Sequence, residues 1–420
     1  MKEHFITGLD IGTAYIRVVT GQYNPQDGNF YIVGCGEVPS AGISKGVIVS
    51  IEDAVSSVTA ALEQTERMVG SPIERVFVGI SGLHIIAQES KGVITVSRAN
   101  GEIREDDVER VIAAAQSVAT PPNYDIIHVI PKDFSIDNQT GIKDPLAMAG
   151  IRLEVNTQII LGLSSQIKNI TKAVYRTGVA IDDLVLSVLA NAESVLSKRQ
   201  KELGVALVNI GESITSVAVF EEGDLLATSV LPLGSNHITA DIAIGLRTSL
   251  DIAEDIKLEY GHAVPDAVSK REEINLSDFS DTEKETVSLK YISEIIEARL
   301  EEIFDMVDKE LIAIDRSGLL PAGVVITGGG AQLSGIIEVA KNRFRLPASL
   351  GYPLNINTAI DKVNNLSFTT AIGLAYWGAE ILGSQSKSIL SKLKLPSFRI
   401  KSIAELAAKG KKWIKSLMSL

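Results

Sequence analysis

The sequence predicts an α/β fold of two duplicated halves, each a mixed sheet with helices on both faces. Three observations carry this reading. A pattern of strand, tight turn, strand, turn, strand begins near residue 5 and recurs near residue 205. Each copy is followed by a helix. Each half then supplies a short apolar strand ending in glycine, Arg75 to Gly82 in the first and Val324 to Gly330 in the second.

In the first half, residues 5–10 read as a strand that ends at Gly12 and Thr13. Tyr15 to Thr20 form a second strand, Asn24 to Asn29 a turn, and Phe30 to Val38 a third strand. The helix Glu52 to Val69 places Val55, Val58, Leu62 and Val69 on one stripe. In the second half, Val205 to Ile210 is β-branched and apolar, and Gly211, Glu212 and Ser213 turn the chain. Ile214 to Phe220 and Leu225 to Leu231 are the next strands, and a helix runs from near His237 through Leu246.

Two insertions interrupt the plan. Residues 83–162 hold short strands, a helix from Glu105 to Val118, and a strand-rich stretch containing proline. Residues 239–317 are mostly helical, with an acidic helix from about Thr282 to Ile314. The expected organisation is therefore 1–82 with 163–202 as the first half and 203–238 with 318–382 as the second. A linker over 383–402 follows, spanning about 25 Å as a coil, and then a helix over 403–420.

Of 420 residues, 45% are hydrophobic and 22% charged, enough apolar material for two buried cores. The single cysteine, Cys35, excludes an internal disulfide and a multi-cysteine metal site. No signal peptide and no membrane-spanning run are expected. The histidines His84, His128, His237 and His262 are scattered singly and read as core or surface residues. The net charge of −12 is uneven: residues 384–420 carry nine Lys and Arg against Glu405 alone, leaving −20 on the residues before them. An acidic body disfavours nucleic acid, and its basic tail needs a separate explanation.

Gly8 to Thr13 (GLDIGT) is a strand ending in a glycine hairpin, whose backbone N–H groups suit phosphate oxygens. Asp10 is placed to hold Mg²⁺ through water. Thr13 would donate to a phosphate, and Arg17 would counter its charge. Taken alone, this is also the pattern of an ordinary hairpin. Gly211, Glu212 and Ser213 occupy the equivalent turn of the other half, so two hairpins would clamp one nucleotide. Gly328, Gly329 and Gly330 leave room for a flat base or ribose, and Glu254 and Lys257 share a helix face.

At this point the chain resembles the actin and heat-shock-chaperone ATPase superfamily, and within it the bacterial cell-division actins of the FtsA family. The residues that carry the resemblance are Ala41 to Val49 (AGISKGVIV), His128 to Asp137 (HVIPKDFSID) with Gly141 to Lys143, and Asp241 to Arg247 with Ala253 to Lys257. Leu189 to Leu196 and Phe368 to Ala375 resemble the two hinge segments. The resemblance implies an actin-like two-domain ATPase fold, an FtsA-type insert subdomain at 83–162, and a C-terminal amphipathic helix. It places Asp10, Gly12, Thr13 and Arg17 in the first phosphate loop and Asn209, Gly211, Glu212, Ser213 and Gly234 about the second. It assigns Glu254 and Lys257 to ribose and base, Gly328, Gly329 and Gly330 to the adenosine, and Glu193 to the water-positioning place. The implied cofactors are ATP and Mg.

The second loop departs from the family pattern. That pattern opens with aspartate and continues through glycines, whereas here Asn209 lacks the charge and Glu212 adds one near the phosphates. Nucleotide binding with slow or absent hydrolysis, a scaffold rather than an enzyme, is the expectation.

In the tail, Ile403, Leu406, Ala407, Gly410, Ile414, Leu417 and Met418 fall on one helical side. Lys409, Lys411, Lys412 and Lys415 flank them, and Trp413 sits at the boundary. This is the pattern of a helix lying in the headgroup plane of an anionic membrane; a helix docked on the body has the same stripe. The resemblance implies filaments on the cytoplasmic side of the cell membrane at the division septum. It implies as partners a tubulin-like division protein, bound through its C-terminal peptide at 239–317, and later division proteins. The alternatives are a type IV pilus-assembly scaffold and a small-molecule kinase of the same superfamily. A kinase needs a catalytic aspartate that the sequence does not supply.

Overall fold

The computed structural model describes residues 5–24, 29–98, 100–119, 121–279 and 285–386. The proposed linker beyond Ser386 and the tail helix with Lys409, Lys411, Lys412, Trp413, Ile414, Lys415, Leu417 and Met418 lie outside the described residues, as does most of the turn after Asn24.

Two sheets repeat one topology. In the first, the strands Phe5–Ile11, Tyr15–Tyr23 and Phe30–Pro39 form an antiparallel meander, and Arg75–Ile80 and Ala180–Leu186 add in parallel beside Phe5–Ile11. In the second, Val205–Ile210, Thr215–Glu221 and Asp224–Leu231 form the meander, and Val324–Thr327 and Ala348–Leu350 add in parallel. The duplication read from the sequence is thus present strand for strand.

The helix Ile51–Val69 starts at Ser50, whose hydroxyl accepts from the Asp53 N–H, and stops at Gly70 in the left-handed conformation. Its buried stripe is Ala54, Val58, Ala61, Leu62 and Thr65. Val55 and Val69, expected on that stripe, are only part-buried.

The first insert is a sheet in the order Ile85–Thr95, Arg152–Leu163, Tyr124–Ile136, Gln139–Ile142. The helix Glu105–Ala119 buries Val108, Val111, Ile112 and Ala115 in the insert's own core. Its three principal strands are long, not short as expected. Pro131 and register shifts at Asn156/Thr157 and Ile160/Leu161 break the alternation that would have marked their length. The second insert centres on the helix Leu289–Ala313, which lays Ile292, Ile296, Leu300, Ile303, Phe304, Val307 and Leu311 along a fully buried face. It begins at Leu289 rather than near residue 282, since Thr286–Ser288 is a strand paired with Glu273–Asn275.

The chain also crosses back. The strand Asn357–Thr358 pairs with Tyr31 and Ile32 at the edge of the first sheet. The helix Thr369–Ser386 packs Ala371, Ile372, Leu374 and Ala375 against Ile6, Val19, Phe77 and Val185 of the first half. The stretch after Asn357 thus touches both halves, with Val363 and the helix Thr369–Ser386 in the core of the first and Leu366 in that of the second. That helix also runs through Ser386, past the expected start of the linker at 383. It crosses the helix Ser187–Val195 so closely that a Cβ on Gly373 would lie 1.8 Å from the Ala190 carbonyl oxygen.

Candidate functional site

The two hairpins that open each half end in the same turn. The Gly12 N–H donates to the Tyr15 carbonyl at 3.2 Å, and the Gly211 N–H donates to the Ile214 carbonyl at 2.9 Å. In each case a Cβ on the glycine would crowd that carbonyl, at 2.7 Å and 3.0 Å. Registering one hairpin on the other sets Asp10 on Asn209, Thr13 on Glu212 and Arg17 on Ser216. Both turns lie beyond the carboxyl ends of parallel strands, the ligand-binding edge of α/β sheets. The Ser81 and Ser216 hydroxyls, one from each half, meet at 3.2 Å across the cleft.

The second turn is seated on a helix N-terminus. In the helix Ser235–Leu246, the Ser235 N–H donates to the Gly211 carbonyl at 2.9 Å and the Asn236 N–H to the Glu212 carbonyl at 2.8 Å. Gly234 permits this approach, since a Cβ there would lie 2.4 Å from the Glu212 carbonyl oxygen. The Gly234 N–H donates to His237 Nδ1 at 3.1 Å, and Asn236 Nδ2 donates to Ser213 Oγ at 3.1 Å. The positive end of the helix dipole thus faces the loop.

Glu212 points a buried oxygen, Oε2, at no protein partner. Burial raises its pKa, the neighbouring Glu254 raises it further, and Lys257 opposes them. Glu254 and Lys257 are tied together rather than solvated. Buried Lys257 donates to Glu254 Oε2 at 2.6 Å and to Thr239 Oγ1 at 2.8 Å, and Thr239 donates to Glu254 Oε2 at 2.5 Å. Glu254 and Lys257 are therefore close enough to Glu212 to act on its charge.

The glycine-rich turn closes the second half. Asn209 lies in register with Thr327, and Gly328 has φ +91°, where a Cβ would strike Asn209 Oδ1 at 2.2 Å. Gly330 packs on Ile210 and Ser235, whereas Gly329 faces open space. A separate cavity of about 390 Å³ begins just beyond, between Leu333, Ile336, Tyr352 and Leu366, and neither phosphate loop lines it.

Two expected residues are ion-paired within the protein. Arg17 Nε donates to Glu37 at 2.8 Å, and the guanidinium lies over the Tyr15 and Phe368 rings. Glu37 partly offsets its charge. Glu193 is ion-paired to Lys201 at 2.8 Å, and Lys201 lies over the Phe220 ring. Phe220 is at the far end of its strand from Thr215, roughly 16 Å along the chain. Asp10 lies opposite Arg17 near the end of its strand; desolvation raises its pKa to about 6 against the lowering pull of Arg17.

Ser81, Ser216, Asn236 and His237 make hydrogen bonds beside the candidate turns and were not read from the sequence as site residues. The one available signal was His237, three residues after Gly234 at a helix start. The first insert also reaches the second half, where Lys132 Nζ donates to the Leu226 carbonyl at 3.1 Å and Lys143 pairs with Asp224. Among the described residues no three His, Cys, Asp or Glu side chains converge as a metal site. No described helix is long and apolar enough to cross a membrane.

Known proteins share this architecture. Residues 206–373 match the family model described as cell division protein FtsA, and residues 82–161 match the SHS2 domain inserted in FtsA. The chain is 38% identical over 375 residues to the cell division protein FtsA of Pseudomonas aeruginosa, covering 89% of each chain. It is 39% identical over 403 residues to that of Bacillus subtilis, covering 96% of this chain and 89% of the relative. Among solved structures, a chain of the PilM–PilN type IV pilus biogenesis complex aligns with a TM-score of 0.67 at 16% identity, over 89% of this chain and 98% of its own. MreB5 of Spiroplasma citri bound to ADP aligns with a TM-score of 0.52 at 14% identity, over 91% and 98%. These two likenesses are of fold alone.

Proposed function

The chain belongs to the FtsA family of cell division proteins, and from that premise we propose that it is an ATP-binding scaffold that forms filaments and holds a tubulin-like division protein at the cytoplasmic side of the cell membrane. The observation that carries the nucleotide reading is the pair of matched turns, Gly12 to Tyr15 and Gly211 to Ile214, on either side of the Ser81–Ser216 contact. In this reading Gly12, Thr13, Gly211, Ser213 and the helix end at Gly234 hold the phosphates. Gly328, Gly329 and Gly330 back the adenosine, and Glu254 lies on the ribose side. The ADP-bound likeness in MreB5 supports a nucleotide in this fold.

Asp10 is the carboxylate suited to magnesium, which would be completed by phosphate oxygens and water and would neutralise phosphate charge. Turnover is expected to be slow. Asn209 stands where the first half has Asp10, and its amide cannot hold a metal-bound water as a carboxylate would. Glu212, with its unpartnered oxygen, sets a negative charge beside the phosphates. These residues suit a nucleotide-held scaffold better than an ATPase.

The basic tail supplies the membrane contact. Its large apolar side chains would contribute about 1.5–3 kcal/mol each if fully buried and its lysines about 1 kcal/mol each on an anionic surface. Ordering the helix costs about 1–2 kcal/mol per residue. One tail is therefore weak, and many tails on one filament act together. The insert 239–317 leaves Ile244, Leu258 and Tyr291 exposed, apolar contacts for the partner's C-terminal peptide. The insert 83–162 serves filament contacts and later division proteins.

The test is sedimentation with anionic vesicles of the full chain and of a chain ending at Ser386, each with and without ATP. Tail-dependent pelleting that strengthens with ATP is expected. A full chain that stays in the supernatant like its truncation would contradict the tether.

A further inference from the structure

The first insert is joined to the two halves in different ways. On the first half the join is buried. Ile127 and Ile160, from two of the insert's strands, are 2% and 0% exposed and share one core with Val78, Ile80, Leu184 and Leu186. At the edge of the first sheet, His128 Nε2 accepts from the Leu186 N–H at 2.9 Å. The His128 ring lies against Trp377, with centroids 5.6 Å apart.

Toward the second half the insert extends two lysines. The strand Asp224–Leu231 is the outer strand of the second sheet. A register shift beside Val219 and Phe220 leaves Leu226 without a cross-strand partner. Lys132 Nζ donates to the Leu226 carbonyl at 3.1 Å and to Glu89, on its own sheet, at 2.6 Å. Lys143 pairs with Asp224, and Glu222 lies 3.9 Å from the same Nζ. The hairpin end that receives them is firmly seated. The Glu222 N–H donates to the Glu202 carbonyl and the Gly223 N–H to the Lys201 carbonyl, each at 3.1 Å. Arg316 Nε donates to both Glu221 carboxylate oxygens at 3.0 Å.

The second join can let go at little cost. Lys132 keeps Glu89 when it leaves the Leu226 carbonyl, and water can take that carbonyl. Lys143 and Asp224 are 53% and 37% exposed, so both charges are already partly hydrated when paired. Ile127 and Ile160 have no such exit, since leaving their core exposes apolar surface to water. We propose that the first insert is a reversible clasp: it travels with the first half and hooks the second through Lys132 and Lys143, so that opening of the halves breaks these two lysine contacts. Nothing in the clasp requires a nucleotide.

The experiment measures nitroxide–nitroxide distances by pulsed electron resonance in the full chain, diluted with unlabelled chain so that contacts between copies do not enter. One label pair, N138C with N342C, spans the insert and the second half. The other, N138C with M68C, spans the insert and the first half. All three positions are exposed, and Cys35, 2% exposed, stays unlabelled. In low salt the first pair is expected to give one distance. A second, longer distance is expected in K132M/K143Q, in K143E, and in the chain with both lysines at about 1 M NaCl, where the Debye length is about 3 Å. K143E/D224K, which restores an opposite pair, should return the single distance. The second label pair should keep one distance throughout. Thermal melts check the fold of each variant, and the high-salt arm needs none. An unchanged first pair in K132M/K143Q or in high salt would overturn the clasp, as would failure of K143E/D224K to restore it. A second pair that also broadens would overturn the anchoring on the first half.

Discussion

Ser81 and Ser216, 135 residues apart and on opposite halves, meet hydroxyl to hydroxyl at 3.2 Å. Ser216 is buried, so removing its partner leaves a polar group unsatisfied. Ser81→Ala is expected to lower the unfolding free energy by about 1–2 kcal/mol in urea. The double variant S81A/S216A should cost no more than S81A alone, because the two hydroxyls act as one contact. Additive costs would show that they do not hold the halves together.

Asp10 ties function to a stability cost. Its pKa is raised from 3.8 to about 6, chiefly by desolvation and against the pull of Arg17. The folded chain then holds a proton more tightly than the unfolded chain, so stability falls as pH rises from about 4 to about 6 and stays lower above that. Asp10→Asn should remove this dependence and be more stable at pH 7.5, by about 3 kcal/mol. The same variant should bind Mg-ATP more weakly. Thermal melts from pH 4 to pH 8 beside ATP titrations check both halves, and a D10N chain less stable than the unaltered one at pH 7.5 would refute the assignment.

Glu212 should oppose a triphosphate. Burial and Glu254 raise its pKa while Lys257 lowers it, so acidification neutralises a charge beside the phosphates. Glu212→Gln is expected to tighten ATP binding at pH 7.5 by several-fold or more, as about 1–4 kcal/mol of charge repulsion at close range would give. Affinity of the unaltered chain should rise as pH falls, and that of E212Q should respond less. Weaker binding by E212Q would mean that Glu212 faces the metal instead.

The repeated meander was legible because both signals are local: alternating apolar residues and turn residues at matching offsets. The same locality marked the turns at Gly12 and Gly211 and the triple glycine. What was not legible depends on distant segments. The packing of the helix Thr369–Ser386 on the first half follows from an apolar helix fitting Ile6, Phe77 and Val185, and nothing in its own pattern names that surface. The Arg17 pair with Glu37 joins neighbouring strands, and the Glu193 pair with Lys201 joins two helices, so neither partner is marked by local spacing. Glu254 and Lys257 were read correctly as sharing a face, yet Thr239, which closes them into a buried triad, comes from another helix.

If the two matched turns hold one nucleotide between them, titration of Mg-ATP into the full chain, G12A, G211A and the double variant, with a thermal melt of each, will show it. In each turn a Cβ would crowd the carbonyl that closes it, so each single variant spoils one turn. One ATP per chain is expected, with a loss of binding of at least tenfold in either single variant and little further loss in the double. Unchanged affinity in G12A or in G211A, with the fold intact, would contradict it, because the turn concerned would not be holding the ligand.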